Sequence, residues 1–182
     1  MSLDLGLEGK TAVVTGGGGA ICGAIATALA LQGVRMNIWD LSVDRGAGIV
    51  KKIEEHGGEA TCLLCDATDP ISIQQALGKT LERFGSVDIL VNGAGGSLKQ
   101  ATTSEELKFF DIPPEAMNRG IALNYISTVQ TCQAVGRTFA EQGSGTILNI
   151  SSIAGISPLT RAITYSDAKA AVNSFTRWLA VH

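Results

Sequence analysis

Residues 11 to 23 read TAVVTGGGGAICG. Thr11 to Thr15 is a short run of β-branched and apolar residues, the composition of a strand covered on both faces. Gly16 to Gly19 follow with no side chain among them, and the apolar run from Ala20 to Leu31 then has helical length. Strand, glycine turn and helix in this order let the backbone turn tightly and approach an anion closely. The anion's charge then rests at the helix N-terminus. A glycine-rich turn without a ligand is the plainer alternative. It predicts the same fold.

Outward from this unit, short apolar runs alternate with longer amphipathic ones, the pattern of a parallel sheet flanked by helices. The predicted strands are Thr11–Thr15, Arg35–Trp39, Glu59–Leu64, Ile89–Asn92 and Thr146–Ile150. Helices are predicted over Ala20–Gln32, Val43–His56, Pro70–Phe84 and Pro114–Gln142, with a last one from about Thr164 to the end. Asp69-Pro70 reads as an N-cap followed by proline at N1, and Gly85 as the stop of that helix. The one long connection, Gly96 to Pro113, carries Phe109 and Phe110 and reads as a site rim or subunit contact. There are no repeats or linkers, so residues 1–182 are expected to form one doubly wound α/β domain. At this length it buries roughly 70% of its unfolded surface.

Tyr165 and Lys169 stand at i and i+4 in YSDAK and share a helix face. The ammonium favours the ionised form of the phenol, which suits Tyr165 to general acid–base work. Ser152 precedes them in NISS and offers a hydroxyl to the oxygen that gains or loses the proton. Asp40, closing the second predicted strand, can accept hydrogen bonds from ribose hydroxyls and would repel a 2′-phosphate. The glycine turn carries no Lys or Arg to attract one, so NAD is expected in preference to NADP. Arg161, between Ser152 and Tyr165, can grip a carboxylate bidentately. Ser97, Lys99 and Thr102 add hydroxyl and ammonium groups nearby. Each of these residues also has a bland reading as packing, surface charge or turn; their joint order argues against coincidence.

The composition excludes several classes. A net charge of −3 without a Lys/Arg cluster argues against nucleic acid or an anionic membrane as partner. No apolar run is long enough to span a bilayer, and Asp4 and Glu8 interrupt any signal-peptide core, which implies a cytoplasmic protein. The four cysteines include Cys62 and Cys65, but i and i+3 in a strand point to opposite faces, so core packing is expected rather than a redox pair. With two histidines, His56 and His182, neither a metal site nor a Ser-His-Asp hydrolase has the residues it needs.

Together, TGGGGAICG, CDATD (Cys65 to Asp69), NGAG (Asn92 to Gly95), Asn124 in LNYIS, NISS (Asn149 to Ser152) and YSDAK resemble the short-chain dehydrogenase/reductase family from Lys10 to His182. The second half is similar to its mannonate oxidoreductase-like, fructuronate-reducing branch. The shared segments are Ala101 to Thr103, Phe109 to Asp111, Pro158 to Arg161 and Ala168 to His182. The resemblance implies a Rossmann-type fold and an NAD(P)-dependent oxidoreductase acting on a carbonyl or secondary alcohol, such as that of mannonate, fructuronate or gluconate. It implies catalytic roles for Asn124, Ser152, Tyr165 and Lys169. Cofactor contacts are implied at Gly16, Gly18, Gly19, Ala20, Ile21, Asp40, Asp66, Ala67, Asn92, Gly93, Ala94, Tyr165 and Lys169. Substrate contacts are implied at Ser152, Tyr165, Ser97 and Arg161, and a homodimer or homotetramer is expected through the helices over Pro114–Gln142 and beyond Thr164. Ala20 and Cys22 stand where the family usually has glycine. Family members continue with two further strands and a substrate lid, so the chain is expected to be an incomplete core. A non-catalytic nucleotide-binding fragment or scaffold is the alternative that this expectation raises.

Overall fold

The computed structural model describes residues 5–157 and 159–182. Pro158, of the segment Pro158 to Arg161, and Asp4 lie outside them. Five strands form one parallel sheet: β1 (Thr11–Thr15), β2 (Arg35–Asp40), β3 (Ala60–Leu64), β4 (Ile89–Asn92) and β5 (Thr146–Asn149). Their order is β3-β2-β1-β4-β5. The chain therefore winds outward from β1 to one edge, then returns to start again on its other side. Between the C-terminal ends of β1 and β4 the two windings diverge and leave a crevice, the usual ligand position in such sheets.

The helices α1 (Ala20–Ala30), α2 (Val43–Glu54), α3 (Pro70–Phe84), α4 (Pro114–Ile121), α5 (Ser127–Gln142) and α6 (Ile163–Leu179) flank the sheet. The alternation of β1 explains why both faces must be covered. Ala12 and Val14 pack with Cys22, Ala26 and Ala30 of α1 and Ile53 of α2. Val13 points the other way, onto Ile73 and Leu77 of α3 and Val135 of α5. All five residues of β1 are buried. Cys62 joins the first of these layers and Cys65 the second, so their sulfurs lie on opposite faces as expected, and all four thiols are free.

Helix ends follow local chemistry. Asp69 accepts from the amide of Ile71 at 2.9 Å, Pro70 opens α3, and Gly85 closes it at φ 78°, as the sequence reading requires. The expected single helix over Pro114–Gln142 is instead interrupted by a π-helical turn at Ala122–Ile126. Asn124 lies in this turn, and its side-chain amide donates to the carbonyl of Gly120 at 2.9 Å. In an α-helix that carbonyl would accept the backbone amide of Asn124 itself, so side chain and backbone compete for one acceptor. The connection from Gly96 to Pro113 holds two short 3-10 turns, Lys99–Ala101 and Phe109–Asp111.

Candidate active site

The crevice at the β1/β4 divergence has a volume of about 470 Å³. One wall of it is the glycine turn. Gly16 adopts φ +63°, and a Cβ there would lie 3.0 Å from the backbone of Ala94, so only glycine lets the ends of β1 and β4 approach this closely. The hydroxyl of Thr15 accepts from the amides of both Gly93 and Ala94 at 3.1 Å and fixes that approach. No side chain caps α1 at Gly19, and its first turn has no acidic residue, which leaves uncapped amides facing an anion. These features fit the pyrophosphate of a dinucleotide.

At the far end of the crevice, Asp40 is 4% exposed. It accepts from the amide of Gly18 at 2.9 Å and from that of Ser42 at 2.8 Å. Asp66 accepts from both the amide and the hydroxyl of Thr68, at 2.8 and 2.7 Å, and stands beside Ala67 on the same wall. Asp40 and Asp66 thus present carboxylates already oriented by backbone amides.

Beyond Gly95 the second group of residues assembles. Asn124 accepts from the amide of Gly96 at 2.7 Å and donates to its carbonyl at 2.9 Å, so its side chain braces this loop. Lys169 is buried, and its Nζ lies 3.7 Å from the point where a side chain at Gly95 would begin. The ammonium donates to the carbonyl of Ile150 at 2.7 Å and sits 5.8 Å from the ring centre of Tyr165. Burial pushes the Lys169 ammonium below its ordinary range, opposed in part by Cys22. Ser152 follows β5, and its hydroxyl accepts from the amide of Ala154 at 3.1 Å. Two contacts hold this segment on α6. Ser151 donates to the carbonyl of Lys169 at 3.2 Å, and a Cβ at Gly155 would strike the backbone of Lys169 at 2.7 Å. Ser152 and Tyr165 are both half-buried.

Of the residues expected to contact a cofactor, Gly16, Gly19, Ala20, Ile21, Asp40, Asp66, Ala67, Gly93 and Ala94 line the crevice, and Gly18 stands just behind through its bond to Asp40. Asn92 does not reach it. Its side chain is taken up by Thr131, Cys132 and Asn149, which ties β4 to α5 and β5. Ser97 and Arg161 come together in a separate hollow with Lys99, Thr102 and Thr103, and neither Ser152 nor Tyr165 lines it. Thr103 anchors that hollow by donating its amide to the carbonyl of Arg161 at 3.0 Å.

The sequence reading missed Thr15, whose hydroxyl ends the first strand, and Arg45, which lines the crevice from the first turn of α2. It also missed Leu41 and Leu123, whereas Gly95, the last residue of NGAG, lines the crevice. Burial raises all four thiols, Cys65 to about 11 and Cys132 to about 12, which leaves them protonated and unreactive near neutrality. Among the described residues no group of His, Cys, Asp and Glu could hold a metal ion, and no helix is long and apolar enough to cross a membrane.

This arrangement and the strand order are those of the short chain dehydrogenases, and the chain belongs to that family, matching it over residues 10–182. It is 37% identical to an uncharacterized oxidoreductase of Bacillus subtilis, UxuB, over 97% of this chain and 66% of that protein. It is 33% identical to a D-threitol dehydrogenase of Mycolicibacterium smegmatis, over 99% of this chain and 66% of the relative. A solved structure with bound NAD, provisionally named a D-mannonate oxidoreductase of Haemophilus influenzae, superposes with a TM-score of 0.90 at 33% identity. The superposition covers 96% of this chain and 66% of that one. The chain thus spans about two thirds of the length of these relatives.

Proposed function

We propose that this chain is the cofactor-binding and catalytic part of an NAD-dependent oxidoreductase that acts on a CH–OH group of a sugar-derived molecule, a sugar acid or polyol. The observation that carries the reading is Lys169. Its cation is buried beside Tyr165 and Gly95, and none of the salt bridges among the described residues gives it a carboxylate. Burying a cation with no carboxylate beside it, its bond to the Ile150 carbonyl apart, is costly and marks a place where chemistry uses the charge.

A bound nicotinamide would supply or receive the hydride. Tyr165 gives a proton to the substrate oxygen in carbonyl reduction and takes it in alcohol oxidation. Ser152 holds that oxygen by a hydrogen bond, and Lys169 supports the charge on Tyr165 once its proton has left. Asn124 keeps the Gly95–Gly96 wall in place between them. Gly16, Gly18, Gly19, Ala20 and Ile21 cradle the pyrophosphate, Asp40 the adenosine ribose and Asp66 with Ala67 the adenine. Gly93 and Ala94 bring backbone against the dinucleotide; Asn92 serves this only by holding β4.

The sugar-derived substrate is supported by the hollow of Ser97, Lys99, Thr102 and Arg161, which offers hydroxyls and two cations to a polyhydroxylated molecule, with the carboxylate of Glu106 beside them. The relative named a D-threitol dehydrogenase and the neighbour provisionally named for D-mannonate point the same way. Nicotinamide absorbance, followed with mannonate, gluconate and a polyol panel, tests this reading. Turnover with at least one sugar acid or polyol is expected. Turnover only with apolar alcohols would contradict it. Because Asp40 repels a 2′-phosphate, NAD is expected to bind about tenfold or more tightly than NADP in calorimetric titration.

A further inference from the structure

We propose that Arg45 is a second determinant of cofactor choice, acting against Asp40 at the ribose end of the crevice. The proposal rests on the crevice holding a dinucleotide. An ionised carboxylate offers about four lone-pair sites. Three on Asp40 are engaged: Oδ2 by the amide of Gly18 at 2.9 Å, and Oδ1 by the amide of Ser42 at 2.8 Å and by Nη2 of Arg45 at 3.2 Å. One site on Oδ2 remains. An adenosine ribose presents two hydroxyls, so seating both on Asp40 requires one existing partner to leave.

The partner free to leave is Arg45. Gly18 and Ser42 donate from backbone fixed by the glycine turn and by the entry into α2. The Arg45 side chain is 64% exposed, whereas that of Asp40 is 4% exposed. Asp40 is its only ion-pair partner among the described residues. Its stem begins against the glycine turn, since a Cβ at Gly18 would lie 2.8 Å from Cβ of Arg45. The guanidinium therefore stands at the ribose end of the crevice on a fixed base, with its exposed side chain free of other ion pairs among the described residues.

A displaced guanidinium is also the group best suited to grip a phosphate. Asp40 favours a free ribose and rejects a 2′-phosphate; Arg45, one side chain away, offsets that rejection. The preference for NAD in the intact protein is then smaller than Asp40 alone would impose. Removing Arg45 widens it, and removing the charge of Asp40 reverses it only while Arg45 is present.

Calorimetric titration of NAD+ and of NADP+ into the wild type, Arg45→Ala, Arg45→Gln, Asp40→Asn and the Asp40→Asn/Arg45→Ala double variant tests this. Thermal melts confirm that each is folded. Either Arg45 variant is expected to weaken NADP+ by about tenfold or more while NAD+ changes by less than about threefold. Asp40→Asn is expected to favour NADP+, and the double variant to lose that gain, a non-additivity that marks coupled residues. If the wild type binds NAD+ but the Arg45 variants keep its NAD+/NADP+ affinity ratio, the role of Arg45 is overturned. If the folded wild type binds neither dinucleotide, the functional reading itself fails and the inference with it.

Discussion

Lys169 holds a charge that its surroundings disfavour, and this makes its energetic role separable from its chemical one. Burial lowers its proton affinity below the ordinary value of 10.5. At neutral pH the folded and unfolded chains both hold the proton, and only the folded one bears the burial cost. As pH rises from the folded value toward 10.5, the unfolded chain binds more protons, so this residue's contribution to stability improves. Lys169→Met removes the cost. Its melting temperature by calorimetry is expected to match or exceed that of the wild type near neutrality, with the gap narrowing as pH climbs toward 10.5. A large drop in melting temperature would mean that the bond from Lys169 to Ile150 holds the fold rather than the site.

At the scale of elements, the π turn at Ala122–Ile126 connects helix geometry to the site, because Asn124 binds Gly120 on one side and Gly96 on the other. Asn124→Ala frees three backbone groups. It is expected to cost roughly 1–3 kcal/mol, since buried donors and acceptors lose their partner. Urea denaturation reads the loss, and faster amide exchange at Gly96 locates it; unchanged exchange there would refute the brace. This turn was not legible in the sequence. The apolar pattern runs on from Pro114 to Gln142, and the break comes from one side-chain hydrogen bond that periodicity does not record. The strands, in contrast, were legible to within a residue or two, because burial on both faces leaves continuous apolar runs such as TAVVT. Residues whose type carries chemistry, Asp40, Ser152, Tyr165 and Lys169, could be picked out by identity and spacing, and the structure places Asp40 in the crevice and Lys169 beside Tyr165. Those that work by position could not be. Arg45 reads as one more charge on an amphipathic helix until the first turn of α2 is seen against the end of β2, and Asn92 reads as a crevice residue until its side chain is seen turned toward α5.

For the molecule as a whole, α5 and α6 leave an apolar hollow lined by Tyr125, Val129, Phe175, Trp178 and Leu179, with Trp178 half exposed. Such a surface in water is a contact site or an aggregation liability, and a symmetric pair of chains is the common way to cover it. A homodimer, or a tetramer of such dimers, with this helix pair at its centre is therefore the expected assembly. Light scattering at micromolar concentration checks it, and a clean monomer would count against it.

In the proposed reaction the residues gathered beyond Gly95 move a proton while the crevice holds a dinucleotide. Tyr165→Phe tests it most directly, because the change removes one oxygen and keeps the ring beside Lys169. Steady-state turnover and NAD+ affinity should be measured on the same preparation. The account predicts NAD+ affinity close to that of the wild type and turnover reduced by about 10²–10⁴-fold or more, the range general acid–base catalysis contributes. Near-normal turnover would contradict it and leave Tyr165 as a packing residue of α6.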